Sequence, residues 1–471
     1  MRVARRGIAW RLREGERRII LIVGDFIAAT LAAIVALAMW ARLDYLGPEP
    51  SYDFLRLRAP WFVLLPFLWL VLMINLYDVR RAGAWRETLR GVMGAAGVGA
   101  VMYLVLYFSS EGSLPRRGVL YFLALVIVST LIWRGLYTLI FTAPAFMRRV
   151  LVVGAGESGM ALVQLVNDIR PQPFHIVGII DDDSSKHGKE VGSVKVMGDN
   201  SLLLRFLEDE AVSDIVVSIL GPMNGAMFQA LLDAQERGAE ITRMPVAYEE
   251  LLGRVPINYL ESDWLLRSFV DSIRVSGVYT LLKRLIDLAG ALTGLGIMLL
   301  FMPWIAVAIV LETGRPILFL QDRLGQGGKV FHVAKFRTMR QDAEADGQAH
   351  WARREDPRAT RVGRLMRKAH LDELPQFWNV LRGEMSLVGP RPERPELVAE
   401  LEKQIPFYRA RLLVKPGLTG WAQVNYGKGA SIEGSAEKLE YDLYYIKHRS
   451  LAMDLWILLR TFGSVLGFRG V

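Results

Sequence analysis

Asp372 and Glu373 stand side by side in RKAHLDELPQFWNV, directly behind Arg367, Lys368 and His370. A carboxylate can attack phosphorus and form an acyl phosphate. A second carboxylate can hold Mg2+, which bridges phosphate oxygens and neutralises charge that develops in the transition state. Adjacent residues on a helix project about 100° apart, so separate roles are expected rather than a shared-proton dyad on one face. The neighbouring bases would keep a nucleophilic carboxylate ionised and draw in an anion. The pair also reads as two solvated acids on a surface helix, favoured by its dipole. The residue types alone leave both readings open.

The surroundings narrow the substrate. Arg361, Arg364, Arg367, Lys368, Arg382, Arg391 and Arg394 crowd one segment, and FHVAKFRTM reads as a strand leading to Lys335 and Arg337. Such density invites a polyanion, and Arg is the natural bidentate phosphate ligand. The aromatic stacking motifs of single-strand binders are missing, so no nucleic-acid partner is expected. The chain has no Cys, which excludes thiol nucleophiles, disulfides and thiolate metal sites. Its six His show no HExxH spacing, which argues against a zinc hydrolase. Chemistry is left to carboxylates, hydroxyls, bases and a hard cation.

What positions these residues is a membrane protein. The chain's 471 residues, its formal net charge of +9 and its mean hydropathy of +0.26 combine basic and apolar character. Runs near 19–40, 59–76, 91–108 and 119–142 are long enough to approach the roughly 20 apolar residues a bilayer requires. Arg2, Arg5, Arg6, Arg11, Arg13, Arg17 and Arg18 precede the first run, Arg80, Arg81, Arg86 and Arg90 follow the second, and Arg148 and Arg149 follow the fourth. Positive-inside reasoning puts the N-terminus and everything after the fourth run in the cytoplasm.

The soluble part starts with VLVVGAGESGMALVQLV, a strand, a turn bearing Gly154, Gly156 and Gly159, and a helix. With FHIVGIIDDD and DIVVSIL as further strands, this predicts a doubly wound, Rossmann-like unit. A GxGxxG turn opening a helix suits a nucleotide's pyrophosphate. Small glycines also serve plain strand–helix packing, and Asp181–Asp183 lie late for a ribose contact. Farther on, the apolar segment around Pro303 has Lys283 and Arg284 before it and Arg315 and Arg323 after it. Bases at both ends, with a proline that removes a helical hydrogen bond, predict a helix that dips into the bilayer and returns; a full crossing is the alternative. The expected divisions are 1–146 for four transmembrane helices, 147–246 for the Rossmann-like cytoplasmic domain, 247–280 for a connector, 281–320 for the re-entrant helix and 321–471 for a small α-rich catalytic domain. The fold class is thus a membrane protein of α plus α/β type.

The C-terminal motifs KFRTM, RKAHLDELPQFWNVLRGEMSLVGPRP, KPGLTGWAQVNYG and YDLYYIKHRSLAMDLWILL resemble the bacterial sugar transferases, the monotopic polyprenyl-phosphate glycosyl-1-phosphate transferases. The upstream spans and Rossmann-like unit are similar to the long form of that family, and PERPE, IPFYRAR and YGKGAS look closest to members near exopolysaccharide and exosortase loci. The resemblance implies a multi-pass protein of the bacterial inner membrane, with its catalytic domain on the cytoplasmic face. It implies transfer of a sugar 1-phosphate from a UDP-sugar to undecaprenyl phosphate, releasing UMP and initiating a surface glycan. By the same resemblance Asp372 is the nucleophile and Glu373 helps to bind Mg2+. Lys335, Arg337 and Arg367, with the Pro390, Arg391, Pro392 element, would lie near nucleotide and phosphates. Two departures stand out: Ala369 and His370 replace the family's frequent Thr-Ser, and Met302-Pro303 replaces its frequent Ser-Pro. A homodimer through the Rossmann-like unit is a further expectation. The rival readings are a membrane-anchored nucleotide-dependent oxidoreductase or epimerase led by GAGESG, and a scaffold without activity. The first needs a Tyr-x-x-x-Lys after the Rossmann core, and none occurs between 160 and 250.

Overall fold

The computed structural model describes residues 14–44, 52–77, 85–109, 116–141, 147–169, 172–260, 276–340, 356–426 and 431–466. The bases up to Arg13, Arg80 and Arg81, most of the expected connector (261–275) and part of YGKGAS lie outside them. The chain divides into two compact units, Met1–Ala247 and Tyr248–Val471.

The first unit opens with helices α1 (Glu14–Asp44), α2 (Tyr52–Leu72), α3 (Trp85–Ser109) and α4 (Arg116–Phe141). Three of them, α1, α3 and α4, are long and apolar enough to cross a membrane; the apolar part of α2, Ala59–Leu72, is shorter. On α1 the face carrying Ala28, Ala29, Ala32, Ala33 and Ala36 is buried, while Ile27, Leu31 and Ile34 point outward. Small residues let helix backbones approach where no hydrophobic force operates between them. Polar pairs then fix the register: Arg134 of α4 binds Asp25 of α1 at 2.7 Å and donates to the Leu76 carbonyl at 3.1 Å. Both partners are buried, so each charge is compensated where water cannot reach.

The same unit continues as β1 (Arg148–Val153), α5 (Glu157–Asp168), β2 (Phe174–Ile180), β3 (Glu190–Val191), β4 (Val194–Gly198), α6 (Leu203–Asp209), β5 (Asp214–Val217), α7 (Gly225–Glu236) and β6 (Glu240–Arg243). The sheet order is β3-β4-β2-β1-β5-β6, parallel except for β3 against β4. Strand β5 is buried throughout, as the unbroken apolar runs of a two-sided parallel sheet require. Strand order reverses between β1 and β5, so the glycine turn after β1 lies at the switch point.

Helix α8 (Met244–Leu252) leads into the second unit, which then comprises α9 (Gly277–Thr313), β7 (Leu318–Leu324), β8 (Val330–Phe336), α10 (Arg361–Lys368), α11 (Gln376–Arg382), β9 (Ser386–Val388), α12 (Pro395–Leu401), β10 (Gly417–Thr419), α13 (Trp421–Asn425), α14 (Ile432–His448) and α15 (Leu451–Leu466). Part of the expected connector is not a linker. Val255 and Ile257 belong to the same core as Leu439, Leu443 and Ile446, the Val255 amide donates to the Glu440 carbonyl at 3.0 Å, and Glu249 binds Lys447 at 2.9 Å. These contacts pair residues far apart in sequence, so no local pattern announces them.

Helix α9 runs for 37 residues with Pro303 inside it, Ser276 capping its start and Gly314 its end. Three charged residues near its start grip the core. Lys283 donates to the Val388 carbonyl at 3.1 Å and to Asp454 at 3.0 Å. Arg284 caps the last carbonyls of α11, those of Val380 and Leu381, at 2.8 Å each. Asp287 accepts from Ser386 Oγ and the Leu387 amide, both at 2.9 Å. Near the other end Ile305 and Ile309 pack with Phe336 and Met366, and Glu312 accepts the first two amides of α10 at 2.6 and 2.9 Å. Both ends of one apolar helix are therefore fastened to a single domain, while Leu299, Leu300 and Trp304 between them stay exposed.

Replacing Asp287 by Ala strands two buried donors and should cost about 1–3 kcal/mol. Asp287→Asn keeps an acceptor oxygen and should lose less, an order that thermal unfolding of detergent-solubilised protein can check.

Candidate active site

Strand β8 delivers the first cations. Lys335 and Arg337 are two apart and share one side of the strand direction, while Phe336 between them is buried in the core below. Beyond Thr338 the chain reaches α10, whose N-cap Thr360 accepts the Gly363 amide at 2.8 Å. The last turn of α10 holds Arg367, whose Nε donates to Thr338 Oγ1 at 3.2 Å. His370 then adopts the left-handed conformation, φ 56°, and turns the chain into a tight 3-10 turn, Leu371–Glu373. Helical backbone continues through Leu374 and Pro375 into α11.

The two acids therefore sit on a short turn between two helices, and Asp372 is only 8% exposed. The surface-helix reading does not hold. Glu373 takes both cations on one oxygen: Lys335 Nζ lies 3.0 Å and Arg391 2.7 Å from Oε1. Arg391 belongs to the Pro390–Pro392 turn after β9, and every carbonyl of that turn is held. Gly417 N donates to that of Pro390 at 2.8 Å, Arg411 to that of Arg391 at 3.2 Å, and Arg323 to that of Pro392 at 3.0 Å. Arg411 is in turn fixed by Asp442 at 2.8 Å and Tyr408 Oη at 2.7 Å.

This wiring divides the two carboxyls electrostatically. Burial opposes the charge of Glu373, but Arg391 and Lys335 overcome it and hold that carboxyl well below its ordinary range. Burial and then the negative Glu373 push Asp372 the other way, above its ordinary 3.8. The bases were expected to keep the nucleophile ionised; instead they serve Glu373 first. Burial also lowers Lys335, and it brings Arg323 down to about 10. The Arg337 guanidinium has a buried nitrogen with no hydrogen-bond partner among the described residues, a donor awaiting an acceptor.

Asp372, Glu373, Lys335 and Arg391 are thus brought together, with Arg337 and Arg367 on the segments that adjoin them. Pro390 and Pro392 shape the turn that presents Arg391. Arg323, Arg411 and Asp442 escaped sequence reasoning: IPFYRAR and YDLYY name two of them, but a 31-residue separation hides the pairing. In the first unit, Gly154 has φ 107°, and a side chain on Gly159 would meet the Gly154 carbonyl at 2.1 Å, so backbone conformation requires the first glycine and packing the second. A side chain on Gly156 would meet nothing within 4 Å. Asp181 already accepts the Ala155 amide at 2.7 Å and Lys186 at 3.0 Å, so it is engaged within the turn rather than waiting for a ribose.

Comparison with known proteins identifies the family. The bacterial sugar transferase family model matches residues 278–468, and a CoA-binding domain model matches 73–224. An undecaprenyl-phosphate glucose phosphotransferase of Komagataeibacter xylinus is 30% identical over 461 residues, covering 94% of this chain and 83% of that protein. This chain belongs to the bacterial sugar transferases. Shorter stretches of this transferase are matched at higher identity. A UDP-N-acetylgalactosamine-undecaprenyl-phosphate N-acetylgalactosaminephosphotransferase of Aeromonas hydrophila is 43% identical over 218 residues, although the match spans 50% of that protein's length and 46% of this one. A UDP-glucose:undecaprenyl-phosphate glucose-1-phosphate transferase of Caulobacter vibrioides is 46% identical over 190 residues, covering 39% of this transferase and 69% of the relative. The oxidoreductase or epimerase alternative is not favoured.

Two outcomes follow for this site. The folded Asp372 carboxyl binds its proton more tightly than the unfolded chain does, so stability falls as pH rises from 3.8 through the raised value. At neutral pH its ionised form is a standing cost, and Asp372→Asn should melt at a higher temperature than the parent protein. A lower melting temperature would contradict it. At His370, Asn or Gly should be tolerated, whereas a β-branched Val should cost about 1–3 kcal/mol because it resists positive φ; denaturant unfolding of the three variants tests the order.

Proposed function

We propose that this transferase moves a sugar 1-phosphate from a UDP-sugar to undecaprenyl phosphate through a phosphosugar attached to Asp372. The observation that carries the reading is the unequal wiring of the acids: Glu373 is neutralised by Lys335 and Arg391, while Asp372 is buried beside them with no ion pair among the described residues. Among the described residues no cluster of three or more His, Asp or Glu could hold a metal by itself. Both bonds to Glu373 fall on Oε1, so Oε2 and the neighbouring Asp372 offer the one or two carboxylate ligands that Mg2+ takes alongside substrate phosphates. The residues therefore fit Mg2+, which when bound would neutralise diphosphate charge.

In the first half-reaction an Asp372 oxygen attacks the phosphorus that bears the sugar. The phosphoanhydride bond breaks, and its electron pair leaves with UMP. An oxygen of undecaprenyl phosphate then attacks the same phosphorus, the bond to Asp372 breaks, and the carboxylate is regenerated. Both nucleophiles are anionic, so no proton must be removed to start either step. Arg337 and Arg367 would receive the equatorial phosphate oxygens, and Arg391 the nucleotide side.

Helix α9 gives the lipid acceptor its access. With both ends fastened to the catalytic domain, the helix enters the bilayer, bends at Pro303 and returns. This reading holds the reacting carboxylate at headgroup level on the cytoplasmic face of the inner membrane, where α15 adds an amphipathic surface.

Incubation with a UDP-sugar labelled in the sugar phosphate should label the enzyme covalently, and Asp372→Asn should abolish both label and UMP release. Unchanged labelling of that variant would remove Asp372 from the reaction. The acid limb of labelling should fall above the pH expected of an unperturbed aspartate, because a carboxyl with a raised pKa loses its nucleophilic form earlier on acidification.

A further inference from the structure

Asp372, Gln376 and Asn379 recur at i, i+4 and i+7 along a stretch whose backbone is helical from the turn at Leu371 onward, so they line one side of it. All three are buried, at 8%, 3% and 2% exposure, which makes a polar stripe facing the interior. Its inner end is fully satisfied. Asn379 Nδ2 donates to the His332 carbonyl at 2.8 Å and to Glu384 at 2.7 Å, and its Oδ1 accepts the Ala334 amide at 3.2 Å. Those bonds anchor the stripe to β8 just before Lys335. One turn nearer the reacting acid, Gln376 Nε2 is buried with no hydrogen-bond partner among the described residues.

An unpaired buried amide donor costs about 1–3 kcal/mol, and native interiors rarely keep one without cause. Leu or Met would fill the same volume without that cost. The donor lies one helical turn from Asp372. An incoming phosphoryl oxygen would satisfy it.

We propose that Gln376 is a substrate-contacting residue whose Nε2 donates to a non-bridging oxygen of the phosphoryl group as it passes onto and off Asp372. The inference rests on the transfer reading above. The donor carries no charge, so it would discriminate by geometry where the arginines act by charge, gaining strength as the phosphoryl group moves toward the carboxylate.

Rapid-quench labelling with a UDP-sugar labelled in the sugar phosphate tests it on the full-length enzyme in detergent, comparing wild type, Gln376→Met, Gln376→Glu and Asp372→Asn. Gln376→Met should melt no lower than wild type and show a KM for the UDP-sugar within a few-fold, yet form the phosphosugar-enzyme on the order of 100-fold more slowly, as loss of one donor to a developing oxyanion does. Gln376→Glu should be slower still, since it aims an anion at the phosphoryl group, and it supplies the same readout should the Met variant not fold. A Met variant that labels at the wild-type rate, or that melts far lower while each folded molecule labels normally, overturns the assignment and leaves the transfer reading intact. A wild type that turns over without ever acquiring label removes both.

Discussion

Everything in the second unit depends on burying two adjacent carboxylates without letting them become equivalent. Like charges on neighbouring residues repel, and a buried ion costs several kcal/mol to dehydrate. The solution is asymmetric neutralisation. Glu373 meets Lys335 and Arg391 at 3.0 and 2.7 Å, each contact worth roughly 5–6 kcal/mol at an effective dielectric near 20 before dehydration is charged against it. Arg391 keeps 39% of its side chain exposed, so water screens part of its attraction, and with Glu373 and Lys335 largely dehydrated the knot adds little net stability. What it supplies is difference: one acid is fixed as an anion, and the other is left with burial and a negative neighbour. The transfer proposed above gains from that, because among the described residues Asp372 is not tied up in an ion pair that would first have to be broken.

Keeping the knot in register is the task of the surrounding architecture. Arg391 sits on a turn whose three carbonyls are gripped from β7, β10 and the segment after α12, and Arg411 is locked from α14 by Asp442. Lys335 rides on β8, and β8 is tied to α11 through Asn379. The helix that meets the membrane joins the same frame, since Arg284 caps α11 and Asp287 holds the start of β9. Fastening this apolar helix through the elements that position the acids ties its placement to the geometry of the candidate site.

Much of this was legible in the residues. The apolar runs, the Gly-rich turn between a strand and a helix, and the acidic pair among bases each follow from local composition or a period of 2 or 3.6. The shares held by each acid were not legible, because they depend on Arg391 and Lys335 reaching Glu373 from segments 18 and 38 residues away. The connector misled for a related reason. Val255 and Ile257 look like short apolar residues in a loop, and only α14 reveals them as core. His370 stands in the sequence only as a base beside the acids and a departure from the family's Thr-Ser, whereas in the fold its backbone makes the left-handed bend that separates α10 from the acidic turn. A β-branched residue there would resist the bend, and Thr-Ser-Leu in place of Ala-His-Leu would reach it by a different side chain on the same backbone.

Asn379, Ser386, Asp442 and Arg411 are deeply buried, and each has its partners. Among the described residues, buried polar atoms without a hydrogen-bond partner occur at Arg337 and Gln376 and also at Gln423, so they are not confined to the neighbourhood of the acids. Of these three the Gln376 amide lies one helical turn from Asp372, and it is this position, not the existence of an unmet group, that bears on the transfer proposed above. A donor that is already dehydrated and held on a helix needs little reorganisation when an acceptor arrives.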